Sequence, residues 1–359
     1  MRLFCTCTDI VRSFLRAAKL LLFLEICKKK RTFAGRMKRN TLIFIGLTFL
    51  LLVLALLDVC SGSIWISPFS MGDCSPMEQQ ILLNLRLPKM LTALLAGMAL
   101  SVAGLVMQTL FRNPLAGPYI LGVSSGASLG VAFLTMCSTL WLGVVGVSQL
   151  GVAAAAIVGS TLVLLLVLAV SRRVHSSVSL LIVGMMIGSI AGALVNLMQN
   201  FANPDALKLF IVWTLGSLGG VGWSELPVLA SVLLVGMLLV MLLMKPLNGL
   251  LLGEDYARGL GVNIPRTRLL IVLATGLLAG GVTAFCGPIA FVGVAVPHIA
   301  RGILQSSNHR LTMPASALIG ADLLLICDIL CNLGTYPLPI STMSALFGAP
   351  IIIWIILKK

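Results

Sequence analysis

The sequence predicts an all-α membrane protein with about ten transmembrane helices, and three observations predict it. Of 359 residues, 59% are hydrophobic and only 10% charged, too few charges to cover a soluble chain of this length. Long apolar runs recur between Thr41 and Leu357, each able to cross ~30 Å of hydrocarbon as a helix of about 20 residues. The positive charge is also sorted along the chain, as set out below.

The spans fall near 41–59, 88–110, 116–136, 149–170, 178–201, 225–244, 267–285, 289–304, 312–333 and 340–357. Backbone groups in lipid must bond within their own segment, which makes these spans helices. Alternating ten-residue strands of the barrel type are absent from the sequence. With the N-terminus inside, 22 of the 25 Lys and Arg residues fall in inner segments, and only Arg86, Lys89 and Lys208 lie outside. This is the positive-inside pattern, and it places both termini in the cytoplasm. The net charge of +14 therefore reflects topology, and no nucleic-acid partner is expected.

Residues 1–39 read as a basic cytosolic arm and 40–359 as one ten-span membrane domain. The apolar patch Leu20 to Leu24 is too short to span, and Met37-Lys-Arg-Asn before an apolar run is an ordinary start, so an over-long start and a genuine arm both stay open. Cys60 and Cys74 share the first outer loop, where a disulfide is possible. No Cys/His spacing resembles a metal site. Residues 202–224 can hold a short extra outer helix and a hinge, and 245–266 form the longest inner connection after the arm. Glycines recur at helix-packing spacing at Gly122, Gly126 and Gly130, at Gly184, Gly188 and Gly192, and at Gly276 and Gly280. Leu94-Leu-Ala-Gly97 and Leu277-Leu-Ala-Gly280 lie in spans of opposite direction, a faint echo of the inverted repeats of transporters.

The most informative stretch is Leu252-Gly-Glu-Asp-Tyr-Ala-Arg-Gly-Leu-Gly-Val262. Gly253 can open a short helix on the inner face. Glu254 and Asp255 sit at its positive end and Arg258 near its negative end. Tyr256 and Leu260 share a face at i, i+4, as do Ala257 and Gly261. An apolar face flanked by charge suits docking on a soluble partner. A solvated loop helix without a partner is the plain alternative.

Other patterns carry less. Gly122-Val-Ser-Ser-Gly126 reads as a nucleophile elbow with His298 as a conceivable base, but an elbow needs a preceding strand. His298 suits helix-end packing better. Asp322 and Asp328, six apart on one helix, are about 240° apart and cannot share a proton. Asp322 is costly inside a span, and a hydrogen bond to a neighbouring helix is its simplest explanation. No G-x-x-x-x-G-K-[ST] occurs, so ATP binding through a P-loop is not expected of this sequence. No catalytic residue and no cofactor is expected.

Five segments in order resemble the FecCD-type permeases, membrane subunits of importers for ferric siderophores, haem and vitamin B12. These are Arg86-Leu-Pro-Lys89 with Leu94-Leu-Ala-Gly97; Arg112-Asn-Pro-Leu-Ala-Gly-Pro118 with Leu121-Gly-Val-Ser-Ser-Gly-Ala127; the 252–262 stretch; Gly287-Pro-Ile-Ala-Phe-Val-Gly293 with Val296-Pro-His-Ile-Ala-Arg301; and Leu338-Pro-Ile340 with Ala345-Leu-Phe-Gly-Ala-Pro350. The resemblance covers roughly residues 40 to 359. It implies a homodimer in membrane lipid of a bacterial inner membrane, two ATP-binding ABC subunits on the cytosolic side, and an extracytoplasmic substrate-binding protein. It implies that Gly253, Glu254, Asp255, Tyr256, Ala257, Arg258 and Gly261 couple to the ATPase. It further implies that Asn113, Leu115, Ser176 and Ser177 lie near the cytoplasmic gate, and that Arg86 and Lys89 dock the binding protein. The chain departs from the pattern at Asn332, where an Arg is frequent, at Ala290 and at Asp322. Ferric siderophore is the expected cargo, with haem and cobalamin open. Exchanging Glu254→Arg with Arg258→Glu is expected to leave the chain folded but uncoupled. An ion-coupled carrier is the rival class, with Asp322 its one obvious ion-binding residue; an intramembrane protease is a more distant one.

Overall fold

The computed structural model describes residues 38–62, 75–137, 148–171, 173, 176–332 and 338–357. Most of the basic arm and Cys74 lie outside these residues, and with them the 1–39 boundary and the Cys60–Cys74 pairing. The chain divides into two compact units, Met1–Phe49 and Leu50–Lys359. In the first, the described residues begin an apolar helix, α1 (Lys38–Cys60), which exposes Leu42, Ile45 and Phe49.

In the second unit the described elements after α1 are all helical: α2 (Pro76–Phe111), α3 (Val123–Cys137), α4 (Gln149–Ser171), α5 (Ser177–Phe201), α6 (Pro204–Thr214), α7 (Leu226–Leu242), α8 (Met244–Leu250), α9 (Glu254–Gly259), α10 (Ile264–Cys286), α11 (Val292–Leu304), α12 (His309–Cys331) and α13 (Ile340–Leu357). Six helices, α1, α2, α4, α5, α10 and α12, are long and apolar enough to cross a membrane alone. The pair α7 and α8 is apolar enough only together and bends by 56°. Pro246 lacks an N–H and its ring crowds the carbonyl four residues back, which ends α7 at Leu242. The apolar helices α3 and α11 and the apolar part of α13 are shorter, so about ten is an approximate count of spans. The second span begins twelve residues before the expected start at 88. Pro88 cannot donate to the preceding turn, and the helix passes it through a π segment at Leu82–Arg86, with the Leu87 N–H on the Leu82 carbonyl.

The core sits on α2 and α10. Every residue from Ala99 to Phe111 is buried, so this half of α2 is surrounded by protein rather than lipid. It packs along α12, α11 and α10. With no hydrophobic force between helices in lipid, close backbone approach provides the attraction. A Cβ on Gly97 would overlap the backbone of Gly320, and one on Gly104 that of Gly293. Gly126 and Gly130 meet Gly159 of α4, a partner the sequence spacing did not show. Gly192, in one of the spaced runs, has open space around it.

The exposed faces of α7 and α5 differ in character. On α7 that face carries Val228, Leu234, Val235, Leu238, Met241 and Leu242, as lipid requires. On α5 the exposed apolar residues are interrupted by exposed Ser189, Asn196 and Asn200, one stripe at helical spacing along the half of α5 that ends at Phe201.

Candidate functional site

Local backbone chemistry builds the 252–262 segment. Gly253 opens α9 at φ 114°, ψ 156°, a conformation open essentially to glycine. At the other end Gly261 has φ 83°, its N–H bonds the Arg258 carbonyl at 2.9 Å, and the Val262 N–H bonds the Ala257 carbonyl at 3.0 Å. This double closure is a Schellman cap, and it fixes the helix at two turns. The segment then divides its residues into two sets. Asp255, Tyr256, Arg258 and Leu260 face outward, Tyr256 58% and Leu260 61% exposed. Gly253 and Ala257 are buried, and the Glu254 side chain is only 25% exposed. Beside α9 runs a groove of about 590 Å³ lined in part by Lys245, Asn248, Leu252, Leu260 and Val262.

Glu254 points back into the membrane unit. Its Oε1 accepts from Ser177 Oγ at 2.6 Å and from Arg268 Nη2 at 3.2 Å, and the same Nη2 lies 3.4 Å from Ser177 Oγ. Ser176 caps α5, its hydroxyl accepting from the Val178 N–H at 3.2 Å. The expected gate residues Ser176 and Ser177 thus form the first turn of α5, and Ser177 touches the expected coupling segment. Asn113 and Leu115 close an Asx turn after α2, with Asn113 Oδ1 accepting from the Leu115 N–H at 2.9 Å. His298 Nε2 lies 2.7 Å from the carbonyl of Pro114 in that turn, a packing role rather than a catalytic one. The expected tolerance of a Glu254→Arg, Arg258→Glu exchange is therefore corrected. Arginine at 254 would face the buried Arg268, while Arg258 forms only an exposed 3.8 Å contact with Asp255.

A second anchor had no signal in the sequence. His309, at the start of α12, places Nε2 2.9 Å from Thr109 Oγ1 of α2. Its Nδ1 and its backbone N–H both reach Asn248 Oδ1 of α8 at 2.9 Å. Asn248 in turn donates to Asn308 at 3.1 Å. The connection that carries α9 is therefore tied to α2 and α12 on one side, and to α5 and α10 on the other.

At the other end of α2, Arg86 and Lys89 are engaged within the chain. Arg86 Nη1 donates to the carbonyls of Val59 and Cys60 at 3.1 and 2.8 Å. Lys89 Nζ pairs with Asp328 at 2.8 Å and donates to Asn332 at 3.0 Å, with side-chain exposures of 24% for Lys89 and 3% for Asp328. Asp58 lies in the same electrostatic neighbourhood. Asn332 thus helps hold Lys89 inward. Lys89→Ala leaves a buried carboxylate without its cation, which costs about 3 kcal/mol, the low end for buried pairs because Lys89 keeps some water access. The measurement is thermal unfolding in detergent, where Lys89→Met with Asp328→Leu should recover most of the loss.

Asp322 does not make the expected interhelical hydrogen bond: it is 4% exposed, and neither carboxylate oxygen has a hydrogen-bond partner among the described residues. The Gly122–Gly126 stretch follows a 3₁₀ turn at Pro118–Leu121 rather than a strand, so the elbow reading fails on geometry. Among the described residues no group of three or more His, Cys, Asp or Glu is placed to hold a metal.

With this geometry in place, comparison with known proteins is specific. The family model described as the FecCD transport family matches residues 50–358. The vitamin B12 import system permease protein BtuC of Klebsiella pneumoniae subsp. pneumoniae is 38% identical over 325 residues, covering 90% of this chain and 95% of that protein. Its counterpart from Salmonella typhi is 36% identical over 336 residues, covering 91% and 99%. Among solved structures, an inward-facing transporter described as of the metal-chelate ABC type superposes with a TM-score of 0.79 at 31% identity, covering 88% of this chain and 99% of that one. PsaBC from Streptococcus pneumoniae shares the fold at a TM-score of 0.51 and 16% identity, over 75% of this chain and 89% of that one.

Proposed function

The chain belongs to the FecCD transport family, as the permease subunit of an ABC importer, and we propose that it carries a metal chelate into a bacterial cytoplasm, cobalamin before ferric siderophore. The names of the relatives at 36–38% identity support cobalamin. They displace ferric siderophore as the expected cargo. Haem has no feature of this chain in its favour.

The observation that carries the reading is the two-sided α9. Its outward face offers Tyr256 and Leu260 beside the charges of Asp255 and Arg258, a surface suited to an ATP-binding subunit. Its inward face holds Glu254 on Ser177. Two ATP-binding subunits work from the cytoplasm of the inner membrane, where both termini lie. A substrate-binding protein docks outside at Arg86 and Lys89, its carboxylates competing with Asp328 for Lys89. The polar stripe Ser189, Asn196, Asn200 on α5 is costly against lipid, which supports a second copy of the chain and a wet path between the two.

The cargo is tested by uptake of labelled cobalamin, ferric siderophore and haem in cells stripped of other importers, with and without this chain. Cobalamin uptake that depends on the chain supports the proposal. Uptake of the siderophore or haem alone reassigns the cargo.

A further inference from the structure

We propose that Glu254 is the mechanical link between the ATPase-facing helix and the cytoplasmic gate, with Arg268 and Ser177 as its two attachment points. This rests on the importer reading above and adds a route for the motion.

The segment α9 has six residues and packs on α8 and α10. Ala257 packs near Gly249 and Val262, contacts that allow sliding. Directional contacts are what convert displacement of α9 into displacement of a span. The Glu254 carboxylate makes two of them through one oxygen, to Ser177 at 2.6 Å and to Arg268 at 3.2 Å. Ser177 is the first residue of α5, and Ser176 before it caps that helix, so a pull on Ser177 acts on the whole α5 axis. Arg268 stands in the second turn of α10, the helix packed against α2, α4 and α7.

Charge makes the link stiff. Arg268 is 5% exposed, and a buried guanidinium whose carboxylate moves away keeps only part of its satisfaction, so the pair moves together. A charge-assisted bond between hydroxyl and carboxylate is also short and strong, as the 2.6 Å separation shows. Glu254 is thus a positioning residue that acts through the first turn of α5.

The expected mode of failure is uncoupling. In proteoliposomes holding the complete complex with its ATP-binding subunit and binding protein, cargo imported per ATP hydrolysed is measured for Glu254→Gln and Ser177→Ala. Wild-type ATP-driven import is scored first with labelled cobalamin, ferric siderophore and haem, and its absence for all three would overturn the importer reading rather than the link. Given that import, Glu254→Gln should lower the ratio at least tenfold and Ser177→Ala about threefold, in complexes of normal subunit composition. The double variant should do no worse than Glu254→Gln alone, because both remove one connection. Ser177→Ala deletes a single hydroxyl and spares the ion pair, so it decides the matter where Glu254→Gln does not assemble. A wild-type ratio in either assembled variant, or losses that multiply in the double variant, would overturn the link.

Discussion

Gly104→Val is expected to abolish the folded membrane unit. The first carbon of the new side chain would overlap the backbone of Gly293 in α11, and backbone cannot rotate aside as a side chain can. Overpacking against side chains costs ~1–3 kcal/mol, and here α2 and α11 must separate, which also opens the contact of α2 with α12. Gly302→Val is the control, since nothing lies within 4 Å of a Cβ there. Size-exclusion profiles and thermal unfolding in mild detergent separate the two. Loss of the monodisperse species for Gly104→Val alone is the expected result, and identical melting of both variants would refute the close approach.

The second large effect is expected at the outward face of α9. Tyr256→Asp with Leu260→Asp places two carboxylates where an apolar pair stands exposed beside Asp255. Neither residue supports the fold from there, so melting of the isolated chain should change little. Binding of the ATP-binding subunit should weaken by at least about 2 kcal/mol, roughly 30-fold, as for a truncated interface hot spot. Co-elution at graded concentrations reads it. Unchanged co-elution would move the ATPase contact away from α9.

Much of this was readable in the sequence because lipid simplifies the code. A run of apolar residues must be a helix, so spans free of internal breaks lie within a few residues of their expected bounds, as with 267–285 against Ile264–Cys286. What periodicity did not show was the behaviour of prolines inside runs. Pro88 sits within a longer helix by way of a π turn, and the Ser75–Glu78 capping box, a legible local signal, marks the true start. Pro246 lies just past the expected span at 225–244, and there the chain continues into α8 at an angle of 56°.

The site was legible in place but not in wiring. Two glycines and a cluster of charge announced α9, since those residues act on their own backbone. The contacts of Glu254 are with Ser177, 77 residues away, and with Arg268 in the next helix, and spacing within one helix cannot reveal such partners. The same holds for His309 with Asn248, 61 residues apart, and for Lys89 with Asn332, 243 apart. Arg86 and Lys89 read as bare outer charges because a lone cation in a sequence carries no sign of the carbonyls and carboxylate that hold it.

The most direct measurement is uptake of labelled cobalamin into proteoliposomes that contain this chain, its ATP-binding subunit and its binding protein. Accumulation that requires ATP, and that stops when the ATP-binding subunit is left out, is the predicted result. Accumulation driven by an ion gradient without nucleotide, and lost in Asp322→Asn, would contradict the importer reading and support an ion-coupled carrier.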